Sequence, residues 1–249
     1  NYIHLQADKG IEHLFDEVHP KEAIVVGAGS SLEGNITLLE RCLVRVPRPL
    51  LISVATASKI LVEAGIIPDY LVVIDKDVSL THPLVAKFSK MKNTRLVYYP
   101  LANPQFIGDW PGDRYAAYST SPLFDSVRRE LPKTALFSGG SVIHTAIDLA
   151  KNLGSSSITL CGVDFAYVDN QIHAGYEGGV LYNYEHISSS GQAKRWVRNG
   201  YGKSIPTHDS FISYLVELER YIKKFPNIKF WNVSKMGASI NGCEYVEDY

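Results

Sequence analysis

Residues 135–167, ALFSGGSVIHTAIDLAKNLGSSSITLCGVDFAY, decide the fold class. A Ser138-Gly139-Gly140-Ser141 turn opens an amphipathic stretch, Val142–Leu153, which Gly154 ends. A mostly apolar run, Ile158–Cys161, follows and stops at Gly162-Val163-Asp164-Phe165. A short, mostly apolar run ended by glycine reads as a buried strand. The segment therefore sets two chemical devices at one edge of a sheet. One is a helix N-terminus, whose free backbone N–H groups suit an anion. The other is Asp164, at the carboxyl end of a strand, where ligands of open α/β sheets bind.

The same order recurs on the N-terminal side. Ala23–Val26 reads as a buried strand running into Gly27-Ala28-Gly29-Ser30-Ser31, and a helix is expected over Gly34–Cys42. Leu50–Val54 is the next strand, with Thr56 expected to cap a helix through Ala64 and Gly65 at its C′ position. Strand Tyr70–Ile74, helix Pro83–Lys90 and strand Arg95–Tyr99 follow. Residues 100–121, rich in Pro, Gly, Asn and Asp, read as a long loop, with Tyr115–Tyr118 a possible short strand. A helix is expected around Leu123–Leu131. Alternating strands and helices imply an α/β fold with a mostly parallel sheet and helices on both faces, because parallel strands need crossover connections.

The C-terminal part changes character. Residues 166–206 hold many Gly, Ser and Tyr and little periodicity, and are expected to form a loop or lid. Thr207 is expected to cap a strong helix, with Phe211, Tyr214, Leu215, Leu218, Tyr221, Ile222 and Phe225 along one face, and Pro226 stopping it. Ile228–Val233 is a last strand, and Met236–Gly242 a polar turn. The expected division is an N-terminal extension, 1–20, and one domain, 21–249.

Composition narrows the function classes. A chain of 249 residues suits one large domain. Its net charge of −1 with mixed signs argues against a dominant nucleic-acid role. No apolar run reaches the roughly 18 residues of a membrane span, and the start, NYIHLQADKG, lacks a basic segment followed by an apolar core. Cys42, Cys161 and Cys243 are odd in number and far apart, so neither a disulfide framework nor a CxxC zinc site is expected. These features suit a cytoplasmic protein with reduced thiols.

The turn 27–31 matches the first two glycines of the dinucleotide fingerprint but has Leu32 at the third. Strand Leu50–Val54 runs on into Ala55-Thr56 with no carboxylate for a ribose, which disfavours NAD. A phosphate contact and a purely structural tight turn both remain open. Asp75-Lys76-Asp77 has the DxD spacing that holds Mg²⁺ or Mn²⁺ on a diphosphate, and equally fits a polar strand end that touches ligand without metal, or a solvated turn. His173, past Asp164 in a glycine-rich stretch, is a candidate general base or a plain surface histidine. His144, one turn into its helix, reads as a packed histidine. Neither a Gly-x-Ser-x-Gly elbow nor a Walker A string occurs.

In this order the chain carries GAGSSLEGN, AGIIPDYLVVID, SGGSVIHTAIDLAKNLG, GVDFAY, IHAGYEGG and NVSKMGASINGCEY. Together these resemble the motility-associated factor (Maf) flagellin glycosyltransferases, in a group that includes the 6-hydroxymethylpterin pyrophosphokinases and shares features with bacterial sialyltransferases. The resemblance runs from about Lys21 to Tyr245. Family members carry Gly-Pro-Ser-Leu in the first turn, where this chain has Gly29-Ser30-Ser31-Leu32. The resemblance implies a Rossmann-like transferase that moves a nonulosonic acid (sialic, pseudaminic or legionaminic) from a CMP-sugar donor to a protein hydroxyl, a Ser or Thr of flagellin. It implies Gly27, Gly29, Ser30 and Ser31 at the nucleotide phosphate, and Ser138, Gly139, Gly140 and Ser141 at its ribose and phosphate. Asp75 and Asp164 would line the cleft, with His173 as base and Asp164 beside it as a second catalytic candidate. No metal or cofactor is expected beyond the donor itself. The alternative is an ATP-dependent pyrophosphokinase acting on a hydroxymethylpterin, with Asp75, Asp77 and Asp164 on Mg²⁺; a non-catalytic nucleotide-binding module is the third reading.

Overall fold

The structure is a computed structural model and describes residues 1–78, 83–168 and 195–246. Its strands are β1 (Lys9–Gly10), β2 (Glu22–Val26), β3 (Leu50–Val54), β4 (Tyr70–Val73), β5 (Arg95–Tyr98), β6 (Arg114–Ala116), β7 (Tyr118–Ser119), β8 (Ala135–Leu136), β9 (Ser157–Cys161), β10 (Arg195–Arg198), β11 (Ser204–Thr207), β12 (Lys229–Asn232) and β13 (Cys243–Tyr245). The α-helices are α1 (Tyr2–Ala7), α2 (Ser31–Gly34), α3 (Ile36–Leu43), α4 (Ala55–Glu63), α5 (Pro104–Gly108), α6 (Asp125–Glu130), α7 (Val142–Asn152) and α8 (Asp209–Lys224).

Nine strands form one sheet in the order β1-β6-β5-β4-β3-β2-β9-β12-β13, every neighbouring pair parallel. The fold is α/β and Rossmann-like. β3 and β4 are buried at every residue and β2 from Ala23 onward, as strands covered on both faces must be. On one face, Leu39 and Cys42 of α3 gather with Ile24 and Cys161. α7 crosses β2, β3 and β4 and buries eight of its residues in succession, Ile143 through Ala150. From β2 the chain moves to β3 on one side, whereas β9 leads towards β12 on the other. The carboxyl ends of β2 and β9 therefore flank a topological switch point, where a crevice opens by construction.

The N-terminal stretch supplies β1, an edge strand of this same sheet. Asp8 anchors it, accepting from Arg114 at 2.8 Å and from the Tyr98 hydroxyl at 2.9 Å.

Several boundaries differ from the sequence expectation, each for a local reason. The expected loop 100–121 contains the helix α5, and the short strand expected at Tyr115–Tyr118 is present as β6 and β7. Asn103 caps α5 by accepting from Gln105 N and Phe106 N, with Pro104 at the first helical position, so Asn-Pro here starts a helix rather than a loop. α4 starts at Ala55 straight after β3, and Thr56 lies inside it without a capping role. At α8 the cap is His208, whose Nδ1 accepts from Phe211 N, while Thr207 ends β11 and donates its hydroxyl to the Phe165 carbonyl. The expected loop 166–206 ends in the β10–β11 antiparallel pair, which runs on to Thr207, and 169–194 lie outside the described residues. Gly65 does adopt the left-handed C′ conformation, at φ +80°.

Candidate active-site cleft

The turn after β2 is fastened to the end of β9. Gly27 N donates to the Cys161 carbonyl and Gly29 N to the Gly162 carbonyl, both at 2.8 Å. A Cβ at Gly27 would stand 2.5 Å from the Gly162 oxygen, so only glycine permits this approach. A Cβ at Gly29 would collide with the Asp164 carboxylate. That carboxylate is buried, 3 % exposed, and accepts from Ser31 N at 2.9 Å and from the Ser31 hydroxyl at 2.5 Å. The Asp164 carbonyl accepts from Ala238 N at 2.7 Å, and Gly237 packs against the Asp164 Cα. Asp164 thus ties together the turn after β2, the end of β9 and the loop after β12. Directly after it, Phe165 sits at φ +46°, a left-handed backbone that is costly for an aromatic residue, and the Thr207 hydroxyl holds its carbonyl.

The second turn lies opposite. Ser141 caps α7, accepting from Ile143 N, and Gly140 takes φ +90°. The chain bends sharply there, and α7 points its N-terminus at the crevice. Between the two turns is a cleft of about 130 Å³ lined by Gly27, Ala28, Gly29, Val54, Thr56, Ser141–Ile143, Gly162–Ala166 and Phe211. A larger hollow, about 940 Å³, opens at the amino-terminal side of the sheet among Lys21, Ser156 and Lys229. Ligands of open α/β sheets bind at the carboxyl ends of the strands, which makes the smaller cleft the candidate site.

The structure therefore brings Gly27, Gly29, Ser141 and Asp164 to one cleft. Ser138, Gly139 and Gly140 form the turn leading into it. Ser30 and Ser31 face a neighbouring hollow of about 370 Å³ with Glu33, Asn35, Tyr201 and Lys235. Their hydroxyls are engaged within the protein, that of Ser30 with the Val168 carbonyl at 2.9 Å and that of Ser31 with Asp164. Asp75 and Asp77 lie exposed after β4 and outside the cleft lining, in a turn where Asp77 N donates to Asp75 Oδ1 at 3.0 Å. Among the described residues no three His, Cys, Asp or Glu side chains gather to hold a metal. His173 falls outside the described residues.

Residues the sequence reading passed over also shape the cleft. Phe165 and Phe211 are two of its apolar walls, and Thr56, freed from a capping role, lines it. The Phe165 neighbour His144 is buried, and that burial lowers its pKa, opposed by the bond to the Tyr214 carbonyl and by Glu217. All three cysteines are free, with burial pushing each thiol pKa up.

A family model described as 6-hydroxymethylpterin diphosphokinase MptE-like matches residues 1–170. The chain belongs to the MptE-like family. This agrees with the group to which its six motifs pointed. Among solved structures, this MptE-like chain is similar to the Maf glycosyltransferase from Magnetospirillum magneticum AMB-1, with a TM-score of 0.71 and 18 % identity, over 93 % of this chain and 34 % of that one. The two share a fold, and this chain spans about a third of the length of that protein. No curated protein matches it.

Proposed function

We propose that the protein is a glycosyltransferase that takes a nonulosonic acid from a CMP-sugar and delivers it to a protein hydroxyl, with Ser or Thr of flagellin as acceptor. The observation that carries the reading is the cleft itself. The capped N-terminus of α7 and the glycine backbone of 27–29 face each other across it, at the switch point of the sheet. A departing CMP carries a single phosphate, whose charge suits the N-terminus of α7; Gly27 N and Gly29 N are already bonded to the Cys161 and Gly162 carbonyls, so the turn 27–29 offers close backbone approach rather than those two donors. The fold shared with a Maf glycosyltransferase supports the same reading.

In this scheme the turn 27–29 and the Ser138–Ser141 turn hold the nucleotide, while the apolar walls Val54, Val142, Ile143, Phe165 and Phe211 keep water from the donor. Asp164, with both carboxylate oxygens on Ser31, acts by holding the turn in shape. The acceptor hydroxyl needs a base, and His173 is the residue proposed for it. We take the reaction to be cytoplasmic.

The family description favours a second reading, pyrophosphoryl transfer from ATP to a hydroxymethylpterin. It requires Mg²⁺ on Asp75, Asp77 and Asp164, and among the described residues these three do not gather. Thermal melting separates the two. At a hundredfold its Kd a ligand adds about 2.7 kcal/mol of stability. CMP should raise the Tm equally with and without EDTA. A shift seen only with ATP plus Mg²⁺, and lost in Asp75→Asn, would replace the first reading by the second.

A further inference from the structure

His144 is a buried ring with one nitrogen in use. Its Nε2 lies 2.9 Å from the Tyr214 carbonyl, which can only accept, so Nε2 carries the proton and Nδ1 a bare lone pair. That Nδ1 is buried without a partner, in a residue 1 % exposed. Buried polar atoms in native proteins are nearly always satisfied, so an orphaned acceptor calls for a donor supplied from elsewhere. Burial also keeps the ring neutral near pH 7, against the nearby Glu217 on α8, so Nδ1 stays an acceptor.

The direction of the lone pair is informative. A Cβ at Gly139 would fall 2.9 Å from Nδ1 and 2.9 Å from the Glu217 Cβ, so the nitrogen faces the Ser138–Ser141 turn, whose glycine backbone closes over it. The ring does not swing freely. It lies nearly parallel to Phe165, 21° between planes at 6.2 Å, is tilted on Phe137 at 5.7 Å, and meets Tyr214 edge-on at 6.1 Å. Phe165, the strained residue after Asp164, is at once a wall of the cleft and a neighbour of this ring. The acceptor thus sits one turn inside α7, behind a helix N-terminus that suits an anion. A ligand matching both features carries an anionic group and, a few ångströms away, a hydroxyl that can donate.

We propose that His144 is a ligand-binding residue, its Nδ1 accepting a hydrogen bond from a sugar hydroxyl of the nucleotide whose phosphate lies at the Ser138–Ser141 turn. This rests on the nucleotide-binding reading of the cleft and adds to it the group that reads the sugar. The turn, with Gly139 and Gly140 at its centre, shifts to admit the hydroxyl, and the lone pair gains its partner only in the complex.

The test uses calorimetry on the whole chain with CMP, its 2′-deoxy and 3′-deoxy analogues, and ribose 5-phosphate. Wild type should bind one deoxy analogue about two- to tenfold more weakly than CMP, the worth of one neutral hydrogen bond. His144→Gln keeps a donor for the Tyr214 carbonyl but has no acceptor at the Nδ1 position. It should bind CMP weaker by the same factor and no longer distinguish the analogues. His144→Asn, which places an amide oxygen near Nδ1, should restore the distinction. In the ¹⁵N spectrum of the histidine rings, His144 Nδ1 should move towards the hydrogen-bonded range on adding CMP. If wild type binds CMP but treats all analogues alike, or the spectrum does not move, Nδ1 serves a water or nothing, and the inference falls while nucleotide binding stands. If neither CMP nor ribose 5-phosphate binds wild type, both fall.

Discussion

Removing the Asp164 carboxylate tests the device that shapes the cleft. Ser31, 4 % exposed, gives both its N–H and its O–H to that one group. In Asp164→Ala both donors lose their acceptor in a dry place, and each such loss costs about 1–3 kcal/mol, so the variant should be destabilised by about 2–6 kcal/mol. In a protein of this size that lowers the Tm by roughly 2–4 °C per kcal/mol. Asp164→Asn should be far milder, under about 1.5 kcal/mol. Its amide oxygen still accepts the Ser31 N–H, and its amide nitrogen can donate to the Ser31 oxygen once the hydroxyl rotates. Ser31→Ala removes one donor, so in the double variant Ser31→Ala/Asp164→Ala the costs should fall short of additive by about 0.5–3 kcal/mol. Urea unfolding followed by circular dichroism measures wild type and all four variants, with an unchanged denaturant slope required for the comparison. A cost below about 1 kcal/mol for Asp164→Ala would refute the reasoning, as would full additivity. An Asn variant as damaged as the Ala one would show that negative charge, rather than the pair of hydrogen bonds, is what the site needs.

Gly29→Ala should cost about 1–3 kcal/mol, because its Cβ would meet the fixed Gly162 carbonyl at 2.8 Å, whereas Gly34→Ala, with nothing within 4 Å, should be neutral or slightly stabilising in the same melts. Burial lowers the pKa of both His144 and His208, with Glu217 and Asp209 respectively opposing it. The unfolded chain therefore takes up protons below about pH 6.5 that the native state refuses, and stability should fall from that pH down through the folded pKa values. His144→Gln should flatten part of that decline in melts run from pH 7.5 to 5. His173→Ala should leave CMP affinity nearly unchanged and slow transfer by roughly 10²–10⁴-fold, with the acidic limb of the pH–rate profile lost; near-normal turnover would retire it as the base.

The sequence by itself determined the layers of this protein. Runs such as Leu50–Val54 and Tyr70–Val73 are apolar at nearly every position, which only a strand covered on both faces tolerates, and the helical period of α8 marks its buried side. Glycines 27, 29 and 162 were legible as turn residues, and Asp164 as a strand-end carboxylate. Local signals misled where two readings share the same residues: Asn103-Pro104 served a helix start, and Thr207 lost the cap to His208. Tertiary structure alone decided what the polar groups do. Asp164 and Ser31 are 133 residues apart, and their bond exists because β2 and β9 lie side by side. Gly237 reaches Asp164 from the loop after β12, and His144 gains an occupied and an empty nitrogen from Tyr214, 70 residues on. Periodicity records how each segment meets the core, one element at a time. A hydrogen bond between distant segments leaves no period in either, so the partners of a carboxylate or an imidazole appear only when the sheet has brought them together.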